Sequence, residues 1–436
     1  IIKGKSLSCP LQRSIRKLLH LEEFRKEGID YDLEHPEERW RQLIADLRYC
    51  LPKGSLVLLA DGRVRPVEKI EVKDELYAGS PTQILRIYRR KANEKLVKIK
   101  AFGLPPVYLT ENHPVLVCES REYSWCRRRL EDIAEKFKEN PRFGRKIYRN
   151  GQCKAIFYDT NKICWKPAKE LRKEDLVCVP LPVRKQIDKI DLLDYLSDWK
   201  EGEDGRLLYK PQKPGEHYLS FPCRFLSLDK KLGYIIGLWL AEGDLDSGSG
   251  LRLSLNEKET KLAIDFLNYI EKIFGLKGRI THQPEKHSLT VRVHSKPLAR
   301  LFDKWCGHGA HNKFLPVFAF NAPRDFKLAL LDGLFKGDGT NTWGDPEYKA
   351  RRLDVTSPSL VFGAWLLLLS LGKFGKISFN KNNNSYQLAF RGDFEDVRSH
   401  KVFFTNSAVW IPIREISAFQ YEGELFNYQT TDNVYA

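Results

Sequence analysis

Two stretches of this chain repeat one pattern: Leu232–Asp244 (LGYIIGLWLAEGD) and Leu328–Thr340 (LALLDGLFKGDGT). Each is an apolar run with an internal glycine, followed at the same offset by an acid and another glycine: Gly237 then Glu242-Gly243, and Gly333 then Asp338-Gly339. An apolar helix that stops at glycine is ordinary, because glycine takes a left-handed cap cheaply. An acid in the last helical turn is not, because the negative end of the helix dipole disfavours it. Two such acids call for a compensating cation, and a divalent metal with oxygen ligands is the simplest candidate. Two unrelated capped helices are the alternative reading of the pattern taken alone.

The segments downstream of the two copies are also alike. After the first come an amphipathic segment, Glu259–Phe274, and an alternating run, Ser288–His294, that reads as a strand. After the second come Leu353–Thr356, an apolar segment Leu360–Leu371 and another strand-like run, Tyr386–Phe390. Halves of similar size and order are what an internal duplication gives. On these residues the region of about 225–404 resembles the LAGLIDADG homing endonucleases, and Asn312–Pro316 (NKFLP) resembles the link before that family's second motif. The resemblance implies two helices packed on a pseudo-twofold axis by small residues, with Glu242 and Asp338 as metal-binding acids. Mg²⁺ would join them to the phosphates of a long, asymmetric double-stranded DNA site. A lysine near the metal in each half is also implied; Lys286 and Lys381, each in a turn before a strand, are the candidates, with plain surface lysines as the alternative.

A second resemblance brackets the first. Cys50–Asp61 (CLPKGSLVLLAD), continuing through Val67–Ile70 and Asp74–Leu76, resembles the N-terminal block of an intein. Thr110-Glu111-Asn112-His113-Pro114 is similar to that family's TxxH block, Trp165–Val179 to the strand pair after it, and Tyr421–Ala436 to the penultimate block. The resemblance implies that Cys50 attacks the Tyr49 carbonyl, a thiolate being the competent nucleophile. Thr110 would help hold the strained peptide and His113 would protonate the departing amine. A satisfied loop histidine before proline is the alternative for His113 taken alone. The family's terminal His-Asn and the following nucleophile do not occur before Ala436, and Asn433 stands where many members have histidine. The chain as it stands is expected at most to form the first thioester.

Residues 1–49 match no splicing block. Glu37–Leu47 reads as a short amphipathic helix, and the segment is expected to be a remnant of an interrupted host protein, an N-extein. The formal charge of +16 suits a polyanionic partner. The nine cysteines form no CxxC pair, which argues against structural zinc and against a disulfide framework. No secretion signal or membrane-length apolar stretch occurs, so a reducing, cytoplasmic setting without membrane contact is expected. The chain has no Met and starts with Ile, which suggests a fragment.

The segment 118–162 carries Arg127-Arg128-Arg129, then Arg142, Arg145, Lys146 and Arg149, with Trp125, Phe143 and Tyr148 among them. It reads as a basic insertion making phosphate and groove contacts with DNA; a solvated charged helix at Leu130–Glu139 is the alternative. Gly202–Gly215 reads as a flexible joint within a linker at 183–224. The expected architecture is mixed β and α/β: a Hint-type all-β splicing domain (50–182 and 405–436) interrupted by a pseudo-twofold α+β LAGLIDADG endonuclease, with halves of about 225–310 and 311–404. A monomer is expected. Three readings of function compete: an intein with both activities, a splicing-dead or free-standing endonuclease, and a non-catalytic DNA-binding descendant.

Overall fold

The computed structural model describes residues 49–124, 144–149, 152–181, 186–209, 219–246, 249–342, 350–391 and 402–431. The expected helix at Glu37–Leu47 and the candidate residues Arg127, Arg128, Arg129 and Arg142 lie outside them.

Helix α1 (Lys230–Glu242) starts at Asp229, whose carboxylate accepts from the Lys231 and Leu232 amides. Every residue from Leu232 to Leu240 is buried, so the helix is apolar all round and lies inside the core rather than on it. Its partner is α4 (Arg324–Gly337). The two approach at a distance only glycine permits: a Cβ on Gly237 would stand 2.0 Å from the Leu330 carbonyl oxygen, and one on Gly333 would stand 2.4 Å from that of Tyr234. Small residues four apart therefore set the crossing of these helices, much as small-xxx-small stripes do elsewhere.

Each helix runs into a four-stranded antiparallel sheet. After α1 come β16 (Gly243–Leu245), β17 (Gly250–Asn256), α2 (Thr260–Phe274), β18 (Arg279–Gln283), β19 (Ser288–His294) and α3 (Lys296–Cys306). After α4 come β20 (Gly339–Thr342), β21 (Ala350–Val355), α5 (Pro358–Ser370), β22 (Lys376–Asn380) and β23 (Ser385–Arg391). The strand orders are 16-17-19-18 and 20-21-23-22. The registers repeat as well: Gly243 faces Leu253 and Leu253 faces Val291, as Gly339 faces Leu353 and Leu353 faces Leu388. Even the outer hairpins match. Each has a four-residue turn, after Gln283 and after Asn380, whose last residue is left-handed: His287 (φ 48°) and Asn384 (φ 49°). The two halves are structural copies.

The rest of the chain is dominated by one ten-stranded antiparallel sheet. Its strands are β1 (Leu51–Pro52), β4 (Glu75–Tyr77), β5 (Pro81–Ala101), β6 (Val107–Thr110), β7 (Pro114–Ser124), β8 (Gly144–Arg149), β9 (Gln152–Pro167), β10 (Leu176–Pro180), β24 (Phe403–Phe404) and β25 (Ala408–Thr430). A small hairpin of β2 (Leu56–Leu58) and β3 (Val64–Pro66) stands beside it. Strand β25 pairs with β10 through its first residues and with β5 along the rest, so segments more than three hundred residues apart in sequence form the spine. The described part of the expected basic insertion extends the β7–β9 pairing, with β8 as its outer strand; Arg145, Lys146 and Arg149 lie on β8.

Residues 183–224, expected as a linker, hold instead β11 (Lys189–Asp191), β12 (Trp199–Glu201), β13 (Leu207–Tyr209) and β14 (Leu219–Phe221), with β15 (Phe225–Ser227) pairing back on β11. Trp199 stacks on Phe221 at 5.0 Å, and Phe221 packs on Phe274 of α2 at 5.7 Å. A few well-placed apolar residues, diluted by Gly, Pro and charge in the sequence, bind this segment to the helical core. The large sheet is joined to the second half too. The Val64 amide donates to Ser359 Oγ (3.1 Å), Arg63 lies over the Phe314 ring, and the Ile377 amide donates to the Gly103 carbonyl (2.7 Å).

Candidate active sites

The C-terminal ends of α1 and α4 bring Glu242 and Asp338 to the same place. A Cβ on Gly337 would meet Glu242 Cγ at 3.0 Å and Oε1 at 3.4 Å, so the Glu242 side chain lies against the residue preceding Asp338. Burial, reinforced by the charges of Asp338 and Glu259, pushes Glu242 up to about 7. Burial likewise pushes Asp338 up to about 6, with Asp354 adding and Lys313 opposing. Desolvation and nearby like charges raise a carboxyl's proton affinity in this way, and perturbed carboxylates in a shared site mark functional candidates.

Lys313 is the lysine whose charge acts on both. It is 6 % exposed, and its ammonium donates to the carbonyls of Trp239 (3.3 Å), Leu240 (2.9 Å) and Ala241 (3.3 Å), the open end of α1. It thereby offsets the helix dipole that the acid aggravates. Burial depresses its own pKa, against the pull of Asp338, Asp244 and Glu242. The NKFLP resemblance covers this residue without assigning it a role; a single lysine beside two apolar neighbours, Phe314 and Leu315, was the available signal. Lys286 and Lys381 lie exposed in the equivalent turns of the two halves.

Two carboxylates do not fill a cation's coordination shell, and among the described residues no group of three or more His, Cys, Asp or Glu is placed to hold a metal. The donors present, hard oxygens short of positive charge, suit Mg²⁺ when water and a ligand's oxygens supply the remainder.

Beside the acids, the strands present a polar face. On β17 to β19 the residues alternating with the core are Arg252, Ser254 and Asn256; Thr290, Arg292 and His294; Arg279, Thr281 and Gln283. In the second half Arg352, Asp354, Gln387, Ser378 and Asn380 take these places, with Asp354 accepting from Ser385 Oγ (2.8 Å) and Gln387 Nε2 (2.9 Å). Arg, Asn, Gln, Ser and Thr are side chains that read base edges. Their alternation with apolar residues was visible in the sequence, but which face looks outward was not.

The second site lies on the large sheet. Cys50 is 1 % exposed. Its amide, the nitrogen of the Tyr49–Cys50 peptide bond, donates to Thr110 Oγ1 (2.9 Å), and the Thr110 amide donates to the Cys50 carbonyl (3.1 Å). The His113 amide closes the turn on the Thr110 carbonyl (3.0 Å), and its ring meets that of Tyr49 edge-on at 6.4 Å. Burial pushes the imidazole down to about 4, although a bond to the Cys50 backbone works the other way; Nδ1 is buried without a hydrogen-bond partner. Thus Cys50, Thr110 and His113, sixty residues apart, meet around one peptide bond. Cys50, Cys118, Cys164, Cys178, Cys223 and Cys306 are reduced thiols. Among the described residues no helix is long and apolar enough to cross a membrane.

The paired helices with an acid at each tip, between two polar sheets, define a duplicated αβ body set into a β chain. No protein-family model matches the chain. The ATP-dependent DNA helicase Hel308 of Thermococcus kodakarensis is 23 % identical over 87 % of this chain and 34 % of its own length. An iron-sulfur cluster assembly SufBD family protein of Mycobacterium tuberculosis is 22 % identical over 76 % of this chain and 34 % of its own. The chain spans about a third of the length of these curated relatives. Among solved structures, the homing endonuclease I-DmoI in complex with DNA and Mn is similar over 37 % of this chain and 89 % of its own, at 16 % identity and a TM-score of 0.27.

Proposed function

We propose that the chain is an intein-type element whose duplicated body is a site-specific, Mg²⁺-dependent DNA endonuclease. The observation that carries this is the meeting of Glu242 and Asp338 at the tips of glycine-packed helices, where burial and neighbouring carboxylates leave both short of a cation. When bound there, Mg²⁺ supplies charge neutralisation and Lewis acidity at a phosphodiester. Glu242 and Asp338 hold it, Lys313 keeps the tip of α1 fixed and adds positive charge, and the two polar sheets bind the duplex on either side. A long site is asymmetric because the halves differ in their outward residues, Arg292 where the other has Ala389 and Ser254 where the other has Asp354. The basic residues of 118–162, Arg127, Arg128, Arg129, Arg142, Arg145, Lys146 and Arg149, add phosphate contacts; Lys286 and Lys381 approach the backbone from the turns. The element acts as a monomer inside the cell.

The splicing part rests on Cys50, Thr110 and His113. Cys50 Sγ attacks the Tyr49 carbonyl carbon, the C–N bond breaks, and the thiol proton ends on the new Cys50 amine. Thr110 holds the amide nitrogen. An imidazole uncharged at neutral pH collects a proton before it delivers one, so His113 acts first as a base and then as the acid. The relatives support an inserted element: a helicase and an iron-sulfur assembly protein, unrelated by name, each share about a third of their length with most of this chain.

The test is cleavage of a duplex library in which the coding sequence up to Tyr49 is joined to randomised downstream DNA. Recovery of a double-strand break with Mg²⁺, absent with chelator and absent in Asp338→Asn, is the expected result. Binding without cleavage under every metal condition overturns the nuclease reading in favour of a non-catalytic DNA-binding protein.

A further inference from the structure

Cys50 is enclosed by Leu96 and Leu425, with Ala92 and Tyr421 against them. A thiol in apolar surroundings keeps its proton, so a nucleophile here needs a neighbouring cation. Strand β25 shows where one comes from. Leu425 faces Pro52 on one side and Arg90 on the other. Residues opposite one another in a ladder share a face, and residues two apart on a strand do too. Cys50, Leu425 and Arg90 therefore lie on one face across three strands. Arg89 takes the other face, over the Phe426 ring at 5.7 Å and paired with Glu424.

We propose that Arg90 is a positioning residue that stabilises the Cys50 thiolate as His113 takes up the thiol proton, keeping the sulfur aimed at the Tyr49 carbonyl, with Glu94 fixing Arg90 in turn. The Arg90 guanidinium donates to Glu94 Oε1 (2.7 Å) and lies near enough to the Cys50 side chain to interact with it. Burial works against its charge, yet Glu94 and Cys50 together raise its pKa above the ordinary guanidinium value. The other charged or titratable groups nearby do not compete. His113 bonds to the Cys50 backbone and is uncharged at neutral pH. Lys53 and Glu424 pair with each other, and the Tyr421 hydroxyl donates to the Glu424 carbonyl. This assignment rests on the reading of Cys50 as a splicing nucleophile.

The full chain is followed by two readouts across pH: alkylation of Cys50 by iodoacetamide, located by peptide mass, and thiol-induced release of the fragment ending at Tyr49. In Arg90→Gln the alkylation midpoint moves up by about one pH unit, an order of magnitude in thiolate at neutral pH, and release slows about tenfold. Arg90→Lys, which keeps the charge, recovers most of both. An unmoved midpoint in Arg90→Gln, or a lysine variant as impaired as the glutamine one, overturns the proposal. If Arg90→Gln does not fold, Glu94→Ala serves: without its anchor the guanidinium no longer holds the sulfur and the midpoint moves up, and an unchanged midpoint refutes the role. Absence of release from every chain at every pH removes the splicing reading, while the alkylation profile still decides the assignment of Arg90.

Discussion

The acid pair at the helix tips and the Cys50 turn are opposite solutions to burial. At the tips, two carboxylates are buried near one another and hold their protons more tightly than usual, an arrangement that an added cation would relieve. Around Cys50 the groups are neutral or paired within the chain, and the reaction proposed there acts on the chain's own backbone. The first is built from two copies of one unit; the second is assembled from β1, the turn after β6, and strands β5 and β25, with no repeat. A site that waits for a ligand tolerates electrostatic stress in its absence, whereas a self-contained one cannot.

The largest expected effect breaks the first site alone. Glu242→Gln or Asp338→Asn lowers cleavage by at least about 10²–10³-fold, comparable with loss of a transition-state donor elsewhere, while gel-shift binding and thiol-induced release persist; cleavage unaffected by either change refutes the assignment. Next comes the packing that brings the acids together. Gly237→Val drives side-chain atoms into the Leu330 carbonyl and costs about 3 kcal/mol or more, read as a fall in chemical-denaturation midpoint. A tolerated valine refutes the close approach.

The pH dependence separates the sites by sign. Glu242 and Asp338 are raised in the folded state, so the stability they confer is complete below the unfolded carboxylate range and is lost as pH rises toward 7. His113, depressed from 6.5 to about 4, removes stability as pH falls through that interval. In chelator, Glu242→Gln flattens the alkaline loss by roughly 1–3 kcal/mol and His113→Gln steepens it; melting curves from pH 4.5 to 7.5 check both slopes. The smallest contrast lies among lysines. Lys313→Met lowers cleavage more than Lys286→Ala or Lys381→Ala, because only Lys313 is buried against both acids; equal effects of the three place the functional charge in the turns.

Much of the duplicated body was legible because periodicity and punctuation repeat. The segment Ser288–His294 is β19 to the residue, Glu259–Phe274 differs from α2 by one position, and both acids stand out by their offset from Gly237 and Gly333. The features that stayed hidden are contacts that need the third dimension. Lys313 reads as a linker residue until it is seen across three helix-end carbonyls. Arg90 is one of several basic residues on β5, and only the register with Leu425 selects it. Residues 183–224 resemble a joint by composition because strands this short carry one or two buried side chains each, too few for a periodic signal.

The pairing of β25 with β1 and β5 also sets a clock. Leu425 and the register that points Arg90 at Cys50 do not exist until the ribosome has passed residue 425, long after Cys50 itself was made. Closing contacts of such sequence separation is slow, and domains formed from contiguous chain fold ahead of it. The helical body can therefore fold first, and the apolar enclosure of Cys50 by Leu96 and Leu425 is completed last. Under the proposed reading, topology alone delays the chemistry at Cys50 until β25 has been made.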